Sequence, residues 1–172
     1  IDGMTFELNG ATDVRAAAIV GQMLEGSLIE NCYVINSTLT PNNFIVGGVA
    51  ACNYGGTIAN CYTKNVTISA NDRCGNLVSD TCGDIKGSEA DRPGTVINCW
   101  TDAARVAGTQ TGNLITGCGE NMTEEQFGSG EVAYALGDAW GQNIGTDALP
   151  VPGGMKVYRG YTKCSDKECQ YS

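Results

Sequence analysis

Three stretches of this chain repeat one short phrase, and a repeated phrase restricts a fold more than composition does. Each copy must take the same local shape and pack against the next. The copies are Gly26-Ser27-Leu28-Ile29-Glu30-Asn31-Cys32-Tyr33, Gly56-Thr57-Ile58-Ala59-Asn60-Cys61-Tyr62 and Gly94-Thr95-Val96-Ile97-Asn98-Cys99-Trp100. They share Gly, Ser/Thr, an aliphatic, a variable residue and Asn-Cys-aromatic, with Glu30 as an extra residue in the first copy. Cys61 lies 29 residues after Cys32. Asn98 lies 38 after Asn60, and the polar stretch 83–93 reads as a loop inserted in that longer interval.

Between the copies lies a second, weaker element. It runs through Ile19-Val20-Gly21-Gln22-Met23, Val46-Gly47-Gly48-Val49, Cys74-Gly75-Asn76-Leu77-Val78 and Thr111-Gly112-Asn113-Leu114-Ile115. A third is the alternation Asn65-Val66-Thr67-Ile68-Ser69. Alternation with period two, bounded by turn residues, specifies strands with one buried face. Three short strands per repeat cannot bury that face alone, so successive repeats stack. The expected architecture is all-β: a right-handed parallel β-helix (β-solenoid) of about four coils, roughly 20 Å long at the usual inter-strand spacing.

In that arrangement Asn31, Asn60 and Asn98 sit at a corner, suited to the left-handed backbone region and to side-chain bonding in a ladder. Cys32, Cys61 and Cys99 stack beside them as a buried column, with disulfide pairing between neighbouring coils as the alternative. Tyr33, Tyr62 and Trp100 form an exposed aromatic row, the best binding candidate in the sequence. Its competing explanation is packing against the C-terminal segment.

The alternation of Gly-containing elements with Gly-Thr-Ile-x-Asn-Cys-Tyr resembles the GLUG repeats of bacterial cell-surface proteins over residues 15–120. The segments Met122–Phe127, Ser129–Leu136 and Trp140–Pro150 resemble the stretch commonly found C-terminal to such repeats in gut-bacterial surface proteins. The resemblance implies a parallel β-helix, an extracellular or cell-surface location, and an adhesive or architectural role. Some relatives of that kind adjoin immunoglobulin-A-cleaving metalloprotease modules. Their zinc motif needs two histidines and this chain has none, so that activity does not carry over.

Three regions are expected: repeats over 1–120, a helical cap with a Trp-containing segment over 121–150, and a hairpin or tail over 151–172. Thr123 and Gln126 form a capping box, with acids in the first turn where the helix dipole favours them. Gly137 suits a helix stop. Phe127, Val132, Tyr134, Ala135 and Leu136 supply the apolar side of a short helical pair that covers an otherwise sticky solenoid end. Met155–Tyr161 reads as a hairpin around Arg159-Gly160.

Without histidine the commonest general base, the usual triads and most zinc hydrolase sites are unavailable. The scattered carboxylates Asp72, Asp80, Asp84, Asp91 and Asp102 show no pair on one strand face, as a polysaccharide-cleaving site requires. No catalytic residue and no metal ligand set is expected, although turn oxygens leave room for a structural calcium ion. Cys164 and Cys169 close a short polar loop as a candidate disulfide, and a bridge among Cys52, Cys74 and Cys82 is a further alternative. The Asn-x-Ser/Thr triplets at Asn36, Asn65 and Asn121 are what a chain rich in Asn and Thr offers by chance.

A net charge of −9 with ten Lys and Arg provides no footprint for nucleic acid, and no run is long enough for direct membrane insertion. Ile1 is preceded by no leader-like segment, so the chain reads as a mature or excised piece of something larger. The expected function is a non-catalytic structural or adhesive module whose partners are glycans or host or neighbouring surface proteins. The alternative is a subunit of an extracellular filament that binds copies of itself through Met4–Leu8. A β-helix carbohydrate-active enzyme ranks third.

Overall fold

In a computed structural model the described residues are 1–8, 15–41, 45–69, 73–80, 94–102, 106–107, 118–158 and 170–171. The chain divides into a strand-stacked unit, Ile1–Asn121, and a smaller unit, Met122–Ser172.

The larger unit begins with β1 (Thr5–Leu8) and then runs through successive groups of five short strands. The first group is β2 (Arg15–Ala17), β3 (Val20–Met23), β4 (Leu28–Glu30), β5 (Tyr33–Ile35) and β6 (Thr38–Pro41). The second is β7 (Ile45–Gly47), β8 (Ala50–Asn53), β9 (Thr57–Ala59), β10 (Tyr62–Lys64) and β11 (Thr67–Ser69). The third is β12 (Arg73–Gly75), β13 (Val78–Asp80), β14 (Thr95–Ile97), β15 (Cys99–Asp102) and β16 (Val106–Ala107), with β17 (Cys118–Met122) after it. Each strand lies parallel to its counterpart in the next group, giving sheets ordered β12-β7-β2, β13-β8-β3, β14-β9-β4, β17-β15-β10-β5 and β1-β6-β11-β16. The unit is strand-rich with stacked parallel sheets, an arrangement that fits a β-helix. Five strands make up each repeat rather than three, because the stretches on both sides of each Gly corner are separately paired.

Stacking turns each inward position into a column. Ile29, Ile58 and Val96 are register partners, as are Ala16, Val46 and Cys74, and Phe6, Leu39 and Ile68. Ile58, Leu39, Val46 and Ile68 have no exposed surface, and burying one such side chain stabilises by about 1.5–3 kcal/mol. Cys74 replaces an aliphatic in its column, so its thiol serves as a small apolar filler.

The registers correct two sequence alignments. Leu28 pairs with Thr57 and Ile29 with Ile58, so Glu30 is no insertion: the frame counts back from the Asn, and Leu28 occupies an outward position, 57% exposed. Likewise Val46-Gly47 pairs with Ala16-Ala17, whereas Val20 pairs with Ala50. Gly21 shares a residue type with Gly47 and Gly75 but not a place. A Cβ on Gly47 would lie 1.8 Å from the Ala50 carbonyl oxygen, and one on Gly75 would lie 2.2 Å from that of Val78. Close backbone approach fixes glycine there.

The smaller unit starts with α1 (Glu124–Gly128), whose Thr123 and Gln126 close a reciprocal capping box above acidic Glu124 and Glu125. Then α2 (Glu131–Leu136) ends on Gly137 at φ 95°. Helical spacing buries Val132, Ala133 and Leu136 with Phe127 and leaves Tyr134 48% exposed, so Ala133 takes the apolar place expected of Tyr134. Ala135 is half-buried. β18 (Trp140–Gly141) pairs antiparallel with β19 (Val151–Pro152). Gln142 is fully buried and donates to the carbonyls of Phe127 (2.8 Å) and Asp147 (2.9 Å), tying the first helix to the turn after β18. β20 (Val157–Tyr158) pairs with β21 (Gln170–Tyr171) in parallel. The hairpin expected over Met155–Tyr161 turns on Arg159-Gly160. Arg159 and Gly160 lie outside the described residues.

Candidate functional site

The densest side-chain chemistry of the larger unit gathers where the repeated Asn-Cys-aromatic phrase stacks. Asn31, Asn60 and Asn98 have φ of 52°, 52° and 49°, the left-handed region that Asn tolerates better than other non-glycine residues. Asn98 Nδ2 donates to Asn60 Oδ1 at 3.3 Å. The residue after each Asn returns the turn on itself. Cys32, Cys61 and Cys99 thiols donate to the carbonyls of Glu30 (3.2 Å), Ala59 (3.0 Å) and Ile97 (3.2 Å), each two residues back. Cysteine therefore stands after the Asn for two reasons: it is small enough for the core, and its S–H adds a bond at the corner, where the Ala59 and Ile97 oxygens also accept the Asn31 and Asn60 N–H groups of the adjacent layer.

Along the stack the thiols also meet one another. The Cys32 backbone N–H donates to Cys61 Sγ at 3.4 Å, and the Cys61 thiol is in hydrogen-bond contact with that of Cys99. That contact first, and burial second, push the Cys61 thiol well above its ordinary range. Burial, then the neighbouring Cys61, raise Cys32. Cys32, Cys52, Cys61, Cys74 and Cys99 are all thiols rather than disulfide partners. The bridge entertained between Cys52 and Cys74 is thus absent, and the two belong to separate apolar clusters. Cys82, Cys164 and Cys169 lie outside the described residues.

The aromatic row is in register, Tyr33 with Tyr62 and Tyr62 with Trp100. The Tyr33 and Tyr62 rings stack with centroids 5.5 Å apart and planes at 10°. The row is not exposed as expected, however. Tyr62 is 1% exposed and Tyr33 and Trp100 are half-buried. The central residue has an aromatic register partner on either side, so stacking itself removes much of its surface from water. Burial, then the Tyr33 phenol and the Asp2 carboxylate, raise the Tyr62 hydroxyl. Within the row, only the half-buried Tyr33 and Trp100 retain surface for a ligand.

One repeat position further on is a second ladder, built on residues that in the sequence look like chance Asn-x-Ser/Thr triplets. Asn36 and Asn65 take φ of 51° and 57°. Asn65 Nδ2 donates to Asn36 Oδ1 at 2.8 Å, and Asn36 Nδ2 to Asp2 Oδ1 at 3.0 Å. Ser37 repeats the cysteine's part, its hydroxyl donating to the Ile35 carbonyl at 2.8 Å. The missed signal was a recurrence of Asn alone, five residues after each Asn-Cys copy in the first two repeats. Asn53 was missed as well. It is fully buried, accepts the Gly56 N–H at 2.9 Å and donates to the Thr95 carbonyl at 3.4 Å.

Among the candidate carboxylates, Asp102 is occupied in structure. It pairs with Lys64 at 3.4 Å, with both side chains largely buried, and accepts the Asn65 N–H at 2.9 Å. Beside it the Thr63 and Thr101 hydroxyls bond at 2.9 Å in the interior. Asp80 lies in β13, while Asp72, Asp84 and Asp91 fall outside the described residues. Among the described residues no three His, Cys, Asp or Glu side chains converge as a metal site, and no helix is long and apolar enough to cross a membrane.

No family model, no curated protein and no solved structure matches this chain.

Proposed function

We propose that this chain is a right-handed parallel β-helix of about four coils with a small C-terminal helical cap. In this reading it works as a non-catalytic structural or adhesive module of a secreted or surface-anchored bacterial protein, of the GLUG-repeat kind. One observation carries the reading. Polar side chains of the stack bond across to the adjacent layer: Asn98 to Asn60, Asn65 to Asn36 to Asp2, Thr63 to Thr101, and Lys64 to Asp102. Groups that could bind or transform a substrate hold neighbouring layers together instead, which suits an element whose task is a rigid shape.

The surface left for adhesion on the aromatic side is the exposed part of Tyr33 and Trp100, apolar rings of the type that stack on sugars. The test is a glycan panel run beside a turnover assay on acidic polysaccharides. The module should bind without turnover, and Tyr33→Ala with Trp100→Ala should weaken the binding. Turnover abolished by Asp102→Asn in a folded protein would overturn the reading in favour of an enzyme.

A second reading, a subunit of an extracellular filament, rests on a different observation. Strands β2, β3 and β4 each end their sheets, and Leu24 and Leu28 are exposed around them. An open strand edge with apolar neighbours is a template for another chain. The edge expected at Met4–Leu8 belongs to the same set, since β1 pairs with β6 on one side and ends its sheet on the other. Light scattering across a concentration series separates the readings: growth in mass supports assembly, and a constant monomer mass removes it.

A further inference from the structure

The cysteine column has a chemistry that a structural ladder alone does not need. Its three members differ in access: Cys32 is half-buried, whereas Cys61 and Cys99 have no exposed surface. Cys32 also belongs to the first repeat, whose β4 is the last strand on its side of its sheet. Neighbouring layers of a parallel sheet are about 4.8 Å apart, inside the range of Cα separations that a disulfide spans. In-register pairing of Tyr33 with Tyr62 brings the preceding residues, Cys32 and Cys61, level with each other. The Cys32 N–H lies 3.4 Å from Cys61 Sγ, and the two thiols are in hydrogen-bond contact.

We propose that Cys32 and Cys61 are a thiol pair that a low-molecular-weight disulfide, such as oxidised glutathione, converts to a covalent staple between the first and second layers. Cys99 remains a thiol. The Cys32 thiolate attacks one sulfur of the reagent, whose S–S bond breaks and releases one glutathione thiolate. Cys61 then attacks the Cys32 sulfur of the mixed disulfide, a new S–S bond forms, and the second glutathione thiolate leaves. Two protein thiols are oxidised, the reagent disulfide is reduced to two thiols, and the two protons pass from the cysteines to glutathione. Access sets the order, because only Cys32 can meet the reagent first. Burial at Cys32, and the contact with Cys99 followed by burial at Cys61, favour the protonated thiols, so the reaction accelerates as the solution is made more alkaline.

The test uses the full chain, folded, incubated with oxidised glutathione at mildly alkaline pH, blocked with iodoacetamide and mapped by peptide mass. The expected product is a Cys32–Cys61 linked peptide, with Cys99 alkylated only after denaturation. Cys61→Ser should stop the reaction at a stable glutathione adduct on Cys32. Cys32→Ser, which retains a hydroxyl donor for the Glu30 carbonyl, should leave Cys61 and Cys99 unoxidised while the chain is folded. Overturning results are a Cys61–Cys99 bridge, a glutathione adduct that persists on Cys32 in the unmutated chain, or a Cys32–Cys61 link that forms only in denaturant.

Discussion

After β4, β9 and β14 the chain turns on Asn31, Asn60 and Asn98, while between β2 and β3, β7 and β8, and β12 and β13 it turns at Ala17-Ala18, Gly47-Gly48 and Gly75-Asn76. Both corners recur in every layer, yet their residues answer to different constraints. The asparagines are there because the backbone is left-handed, at φ near 50°. Gly47 and Gly75 are not among the positive-φ residues. They are there for lack of room, since a Cβ would strike a carbonyl oxygen three residues on. One corner is a demand on a residue's own dihedral angles, the other a demand on its distance from its neighbours.

The two corners should respond differently to substitution by alanine. Gly47→Ala should be the most damaging substitution, costing about 3 kcal/mol or more, because two backbone segments must separate to admit the methyl group. Chemical denaturation of the purified variant measures it, and a loss under about 1 kcal/mol would show that the corner can open. Asn60→Ala should cost about 1–2 kcal/mol, from the left-handed backbone and the lost ladder bond together. Asn60→Gly relieves the backbone cost and should lose less than about 1 kcal/mol. If the two Asn60 variants were equal, the ladder and not the dihedral would be what Asn provides.

A graded effect of pH separates the corners further, since the Asn-Cys corner carries the raised Cys32 and Cys61 thiols with Tyr62 beside them, against Cys74 alone next to Gly75. Below the ordinary thiol value of 9.0 both folded and unfolded chains hold the Cys61 proton, so its contribution is fully present. Above it the unfolded thiol ionises while the folded one stays protonated, so the unfolded state binds fewer protons and stability falls as pH rises. Tyr62 adds a similar loss above its ordinary value of 10.0. Denaturation midpoints should therefore decline from about pH 9 upward, with a shallower slope in Cys61→Ala, while Gly47→Ala keeps the full slope. The smallest change should come from Ala17→Gly. It places glycine at the register position of Gly47 in a layer that already accommodates a methyl group, so only about 0.5–1 kcal/mol of backbone entropy is at stake.

The same contrast explains how much of the fold and of the site was legible. The Asn-Cys phrase could be read directly, because a left-handed corner needs Asn or Gly and a residue type is visible in sequence. The second ladder was half legible. Asn36 and Asn65 recur, but Asp2, the partner of Asn36, lies 34 residues before it and outside the repeated phrase. The alignment at the Gly corner went astray for another reason: Ala16-Ala17-Ala18 fills the same place as Val46-Gly47-Gly48, and Val20-Gly21 looks more like it. Tyr62 was expected in the open because strand alternation pointed it away from the core. Its burial depends on what stacks along the sheet, which alternation does not describe.

The repeating unit, the strand-rich class, the left-handed corners, the capping box of the first helix and the glycine stop of the second were therefore readable from residue types in order. All of these are set within a few residues by dihedral preference and local hydrogen bonding. Which residue of one layer lies over which residue of the next is set by the stacking of the layers. That stacking produces the thiol column, the Lys64–Asp102 pair, the place of Asn53 beneath Gly94 and the concealment of Tyr62. The physical reason is that an approach between layers is a distance between segments far apart in the chain. Any residue small enough satisfies it, so the constraint leaves no single residue type for the sequence to display.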